Sequence, residues 1–288
     1  MPPLPEPLVA EKLHKFSFGV EIECINAPAS RVCTAITSVV GGHAGGSMVD
    51  DAAGRRWVLK GDGSIHGANA LEIECPPMTF EDLSDLQQVV RALRAAGVRT
   101  NDSCGLHVHV GTMRWDASAV SLLAQVVRAR EEQIFRAARV LNSRRTQWTR
   151  PMEESFIRAL RAERSVTIAD IAQIWGRAGG GRYHGLNLSP LTSSQRTIEF
   201  RYFNGTMHAG QMRAWITLAM ALVAGAFNRT IEPPTRPVPH DTAQTYQDFR
   251  HFLLTLGLRG PEFRAVRQHL CGHLAGAPAA EAESDSGE

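Results

Sequence analysis

Two glutamates separated by one residue give the first indication of chemistry in this chain. In the segment Phe16–Cys24 the even positions Phe16, Phe18, Val20, Ile22 and Cys24 are apolar, while Glu21 and Glu23 occupy odd ones. Successive side chains on a strand point to opposite faces, so one face here is core and the other carries two carboxylates. The pattern recurs three times. Leu71, Ile73 and Cys75 alternate with Glu72 and Glu74; Leu106, Val108 and Val110 alternate with His107 and His109; Ile198, Phe200 and Tyr202 alternate with Thr197, Glu199 and Arg201. A single Glu-x-Glu reads as a solvated strand face. Five glutamates, two histidines and an arginine spread over four strands read differently, because crowded carboxylates repel one another unless cations join them. Oxygen ligands with an imidazole suit Mg²⁺ or Mn²⁺.

Carboxylates that hold divalent ions commonly serve phosphoryl transfer, where the ions neutralise phosphate oxygens. Arg201, on the same face as Glu199, is placed to stabilise charge on a phosphoryl group in transit. The chain has no GxxxxGK[ST] loop, which excludes a P-loop enzyme. Gly179-Gly180-Gly181 before Arg182 reads equally as a phosphate loop or as a loop that covers substrate. In Tyr183–Leu188, Asn187 falls on the site face and His184 on the apolar phase, where a structural role is expected. Arg182 shares that phase but sits at a loop–strand junction within reach of phosphate.

Helices must hold these strands. Thr79 with Asp82 caps an amphipathic helix through Leu93 that ends at Gly97, and Asp116 opens another carrying Val120, Leu123, Val127 and Ile134. A third, from about His208 to Phe227, is apolar on most sides and reads as a buried core helix. Shorter helices are expected over 153–163, 167–175, 242–256 and 261–274. The proline-rich stretch 232–240 separates the body from a helical C-terminal part that starts at about 241. Segments 1–12 and 276–288, rich in Pro or in Ala, Ser and acid, are expected to be disordered. One domain over 13–275 remains.

The 288 residues carry 31 basic and 29 acidic groups, a balance that calls for no nucleic acid. Five cysteines without a CxxC pair argue against a disulfide framework or zinc ribbon. The longest uncharged apolar run, 214–227, is too short to span a bilayer. No charged n-region precedes an apolar segment at the start, so a cytoplasmic location is expected and no membrane partner. Oligomeric state is not legible.

Six motifs in order then resemble the amidoligases, a branch of the carboxylate–amine ligase superfamily with the glutamine synthetase and γ-glutamylcysteine synthetase fold: Phe18-Gly-Val-Glu-Ile-Glu23, Asp62-Gly-Ser-Ile65, Glu72-Ile-Glu-Cys-Pro-Pro77, Cys104-Gly-Leu-His-Val-His-Val110, Arg182-Tyr-His-Gly-Leu-Asn-Leu188 and Thr197-Ile-Glu-Phe-Arg201. The resemblance spans residues 16–228. It implies an α+β fold, an antiparallel sheet with helices on one face and a polar metal and ATP face on the other. It also implies a two-step reaction in which ATP phosphorylates a carboxylate and an amine displaces phosphate to give an amide. By position, Glu21, Glu23, Glu72, His107, His109 and Glu199 match metal ligands. Arg201 matches the phosphate-facing arginine, and with Glu199 and Glu72 makes up the catalytic set. Lys60, Asp62 and Ser64 fall on the turn expected to meet nucleotide or substrate, with Arg182 and Asn187 as further contacts. The family has an apolar or small residue at Glu74, which is therefore left out of the ligand set. Two other readings stand beside this one: a zinc hydrolase built on His107-x-His109, and a non-enzymatic module that binds acidic partners through the ten arginines between 128 and 164.

Overall fold

Alternation of apolar and polar residues does build one sheet. The computed structural model describes residues 13, 15–163 and 166–279; segment 1–12 and the acidic residues 280–288 lie outside the described residues. Strand β1 (Phe16–Cys24) leads into helix α1 (Ala29–Val40), the short hairpin β2 (His43–Gly45) and β3 (Met48–Asp50), then β4 (Arg56–Lys60) and β5 (Leu71–Glu74). Helix α2 (Leu83–Ala95) precedes β6 (Gly105–Thr112), and α3 (Ala117–Ala137), α4 (Asn142–Gln147), α5 (Glu154–Ala162) and α6 (Ile168–Arg177) follow. Strands β7 (Leu186–Asn187) and β8 (Thr197–Asn204) complete the sheet before α7 (Ala209–Phe227), α8 (Thr245–Thr255) and α9 (Arg264–Cys271). The order is β2-β3-β4-β5-β1-β6-β8-β7, and every neighbouring pair is antiparallel.

The chain is thus α+β, an open antiparallel sheet with helices on its apolar face. Phe16, Phe18, Val20, Ile22 and Cys24 all enter one core together with Leu106, Val108, Val110, Ile198 and Phe200. Helix α7 lies against β1 and β6 and is buried on nearly every side, as its uniform apolar sequence dictates. The expected caps form: Asp82 Oδ2 accepts from the Thr79 N–H at 2.7 Å, and Asp116 Oδ1 from the Ser118 N–H at 2.9 Å. After α7 the linker packs on α3, where the Val238 N–H donates to the Ala129 carbonyl. Helices α8 and α9 dock on this same body through Phe249, Leu253, Val266 and Leu270. Residues 276–279 continue from them, with Ala277 packed against the core.

A bulge breaks alternation in β8. Leu106 pairs with Phe203 but Val108 with Phe200, so Arg201 and Tyr202 together stand opposite His107. Strict period two would put Phe203 on the face of Arg201. The extra residue instead lets Tyr202 and Phe203 both enter the core, where Phe203 stacks on Trp215 with centroids 5.1 Å apart, while Arg201 keeps the polar face. Helices α1 and α4 and the β2–β3 hairpin have no counterpart in the sequence expectations, and the strand expected over 183–188 contracts to β7. Tight packing explains the contraction: a Cβ at Gly185 would lie 2.0 Å from the ring of Tyr202, so the backbone there is pressed on an aromatic face and not extended along a ladder.

Candidate active site

Register lines up the polar side chains in three rows across the sheet. Lys60, Glu72 and Glu23 are successive cross-strand partners on β4, β5 and β1; Glu74, Glu21 and His107 on β5, β1 and β6; Gly19, His109, Glu199 and Asn187 on β1, β6, β8 and β7. Like charges directly opposite each other are unfavourable, yet Glu21 faces Glu74 and Glu23 faces Glu72.

Glu21 is the hub. Its Oε2 lies 2.8 Å from His107 Nδ1 and its Oε1 lies 3.1 Å from His109 Nε2. Burial opposes its ionisation, but these hydrogen bonds to the two histidines overcome that and hold the carboxyl well below the usual range. The His109 imidazole, whose burial disfavours charge, is pulled upward by Glu21 and also meets Thr197 Oγ1 at 3.1 Å. Glu199 is fixed from two sides, by Arg201 and by Asn187 Nδ2 at 2.7 Å. Glu23 accepts the Gly105 N–H, and Lys60 pairs with Glu74. Among the described residues, Glu72 makes no ion pair within 4 Å: its cross-strand neighbour Lys60 turns to Glu74 instead. Burial first, then Glu21, Glu23, Glu74 and Asp62, push its pKa up to about 8.

Three groups of ligand atoms lie within 4.8 Å of one another: Glu21, His107 and Glu199; Glu23, Glu72 and His107; Glu21, Glu72 and Glu74. The donor set fits a hard divalent cation, being carboxylate oxygens with at most one imidazole per group. The proton that Glu72 retains reports the same surplus of negative charge. Among the described residues, none of these three groups joins His107 with His109.

Two cavities meet over this face. The smaller, of about 350 Å³, is lined by Glu21, Glu23, Asp62, Ser64, Glu72 and His107 together with Arg182 and Arg201. The larger, of about 690 Å³ and mostly apolar, runs over the start of β1 past Lys60, Glu74, Cys75, Pro77 and His109. Glu21 belongs to both. Glu199 and Asn187 lie behind, buried, and line neither of the two. The Asp62 turn is shaped by its own carboxylate, which accepts the Ser64 N–H at 2.7 Å. His184 is structural as expected, bonded to the Gly181 carbonyl at 3.0 Å and edge-on to Trp175. Cys24 and Cys75 are pushed up by burial, to about 12 and above, which makes them poor nucleophiles at neutral pH; burial raises Cys104 too.

Arg144, Trp148, Tyr183 and Ser103 also line the small cavity and were missed from sequence. Arg144 is one of the ten arginines between 128 and 164 read as a surface for acidic partners, but it is buried, with NH2 3.1 Å from His107 Nε2. Its neighbours are spent inside the molecule as well: Arg145 pairs with Glu132 and stacks on Phe135, Arg130 lies over Phe252, and Arg128 meets Glu154. These four arginines of the 128–164 stretch are therefore engaged within the chain. The signal that could have exposed Arg144 is Gly105, where a Cβ would lie 1.9 Å from the Arg144 NH2, although no spacing links the two in sequence.

The family whose model matches residues 14–223 is described as "Putative amidoligase enzyme". A solved structure similar to the chain is the crystal structure of the complex between Prokaryotic Ubiquitin-like Protein Pup and its Ligase PafA, at 12% sequence identity and a TM-score of 0.38. The match covers 82% of this chain and 51% of that chain, so this chain spans about half its length. No curated protein matches significantly. With the family model covering well over half of the sequence and running from β1 into α7, the chain belongs to the amidoligase enzymes.

Proposed function

We propose that this amidoligase is an ATP- and Mg²⁺-dependent carboxylate–amine ligase that works through an acyl phosphate. The observation that carries the reading is the convergence of Glu21, Glu23, Glu72, His107, His109 and Glu199, from four strands, on one face beside a cavity that Arg182 and Arg201 also line. A divalent cation on this face supplies neutralisation of phosphate oxygens. Glu21 and Glu199 are held ready for it by partners that fix their oxygens, His107 and His109 for the first and Arg201 and Asn187 for the second.

In the first step a carboxylate oxygen of the acid substrate attacks the γ-phosphorus, the bond from that phosphorus to the β,γ-bridging oxygen breaks, and ADP leaves. Arg201 and Arg182 line the small cavity and face the charge that builds on the transferring group. In the second step the amine attacks the acyl carbon, the acyl–oxygen bond to phosphate breaks, and the amine loses a proton. Glu72 lines the same cavity and accepts that proton in its ionised form, which a cation on this face would favour. The larger apolar cavity, with Lys60 at its rim, suits the nucleoside, and Glu21 marks the junction. The acid and amine are free small molecules, peptides or a protein side chain.

The test is ADP release with Mg²⁺ or Mn²⁺ over a panel of acids and amines. Release should require both acid and amine, and Glu21→Ala and Glu199→Ala should fold and be inactive. Absence of any ATP binding in the presence of either ion ends the reading.

A further inference from the structure

Helix α4 brings one cation to the site that no motif announces. Arg144 is 2% exposed, and its guanidinium occupies the space that Gly105 leaves by lacking a Cβ. Burial, reinforced by the charge of Arg201 and opposed by that of Glu23, lowers its pKa to about 10, so it stays charged at neutral pH. A guanidinium has only donors. At 3.1 Å, therefore, the Arg144 NH2 gives a proton to a lone pair on His107 Nε2. A neutral imidazole that accepts at Nε2 carries its hydrogen on Nδ1, and Nδ1 stands 2.8 Å from Glu21 Oε2, which can only accept. The other tautomer would set N–H against N–H at one end and a lone pair against a carboxylate at the other. It gains only two longer contacts, the first to Glu23 Oε1 at 3.4 Å. Arg201 NH1, at 3.5 Å from Nδ1, is already engaged by Glu199.

We infer that Arg144 is a positioning residue: it locks His107 as the Nδ1–H tautomer, so that His107 orients Glu21 and is withheld from the cation itself. The inference rests on the reading that Glu21 holds a divalent ion in a ligase. It removes His107 from the ligand set implied by the family resemblance and leaves the site's ligands to oxygen, the donor that Mg²⁺ prefers.

The experiment uses the full chain labelled with ¹⁵N-histidine, with His107 assigned by the loss of its signals in His107→Gln. Long-range ¹H–¹⁵N correlations should show a protonated Nδ1 and an unprotonated Nε2, both unmoved in type when Mg²⁺ is added. Arg144→Met should mix the tautomers and weaken Mg²⁺ binding, read by calorimetry, by about tenfold or more; Arg144→Lys, which restores a donor, should recover the single tautomer. Gly105→Ala, whose Cβ displaces the guanidinium without deleting it, should act as Arg144→Met does and serves if that variant does not fold. A protonated Nε2 in the wild type, a Mg²⁺-dependent shift of Nε2 towards a ligating nitrogen, or an unchanged tautomer in both variants overturns the inference. Calorimetry and tautomer are read without turnover, so a chain that ligates no acid to any amine would defeat the proposed function while leaving this result in place.

Discussion

Glu72 carries the clearest record of crowding on the polar face. Its pKa rises to about 8 because it is buried among Glu21, Glu23, Glu74 and Asp62. A carboxyl whose folded pKa exceeds its unfolded value stabilises the fold fully below the unfolded pKa, and that contribution is lost as pH climbs through the folded one. Without metal, the unfolding midpoint should therefore fall as pH is raised from about 4.5 towards 8, and Glu72→Gln should flatten that fall. A thermal melt series at fixed ionic strength, with chelator and with Mg²⁺, checks both; Mg²⁺ should restore the midpoint most at the alkaline end. At the same scale, Asn187→Ala frees one buried oxygen of Glu199 and unties the Ser189 N–H, which donates to Asn187 Oδ1 at 3.0 Å. It should lower kcat by ten- to a hundredfold and cost about 1–3 kcal/mol of stability in chemical denaturation.

At the scale of elements, α3 and β8 are joined by a buried carboxyl. Glu131 accepts from the Tyr202 hydroxyl at 2.7 Å and from the Met152 N–H at 3.0 Å, and burial lifts its pKa to about 7. Glutamine can serve both groups, because the tyrosine hydroxyl can also accept, so Glu131→Gln should be nearly neutral. Glu131→Leu strands two buried polar groups and should cost about 2–4 kcal/mol in chemical denaturation. Gly185→Ala drives a methyl into the Tyr202 ring and should cost about 1–3 kcal/mol. Much of this level was legible. Period-two alternation located β1, β5, β6 and β8 and assigned Glu21, Glu72, His107 and Glu199 to one face, because burial on one side forces the pattern into the sequence. Helix α4 was not legible: Asn142–Gln147 is short and polar, without an apolar stripe, and it is held by what Arg144 meets across the fold. The bulge at Arg201 and Tyr202 was equally hidden, since both flanking stretches alternate correctly on their own.

At the scale of the molecule, the sheet's helical face anchors a polar face that is strained by its own charge. A ligand carrying compensating cations should therefore stabilise the whole chain. Mg²⁺ and ATP together at about a hundredfold over Kd should raise stability by about 2.7 kcal/mol, whereas ATP with chelator should raise it far less. Differential scanning fluorimetry resolves the two, and equal shifts would contradict the carboxylate face as the nucleotide site. Among the described residues, no helix is long and apolar enough to cross a membrane. The C-terminal helices, set off in sequence by the proline-rich stretch 232–240, complete the core against α7.

Glu21 stands in the wall shared by the two cavities. A compound that fills either chamber can reach the same acid. An inhibitor long enough to reach from the oily chamber into the arginine-lined one would need a metal-chelating or positively charged centre at its midpoint, and the spacing of its two ends would be dictated by that one side chain.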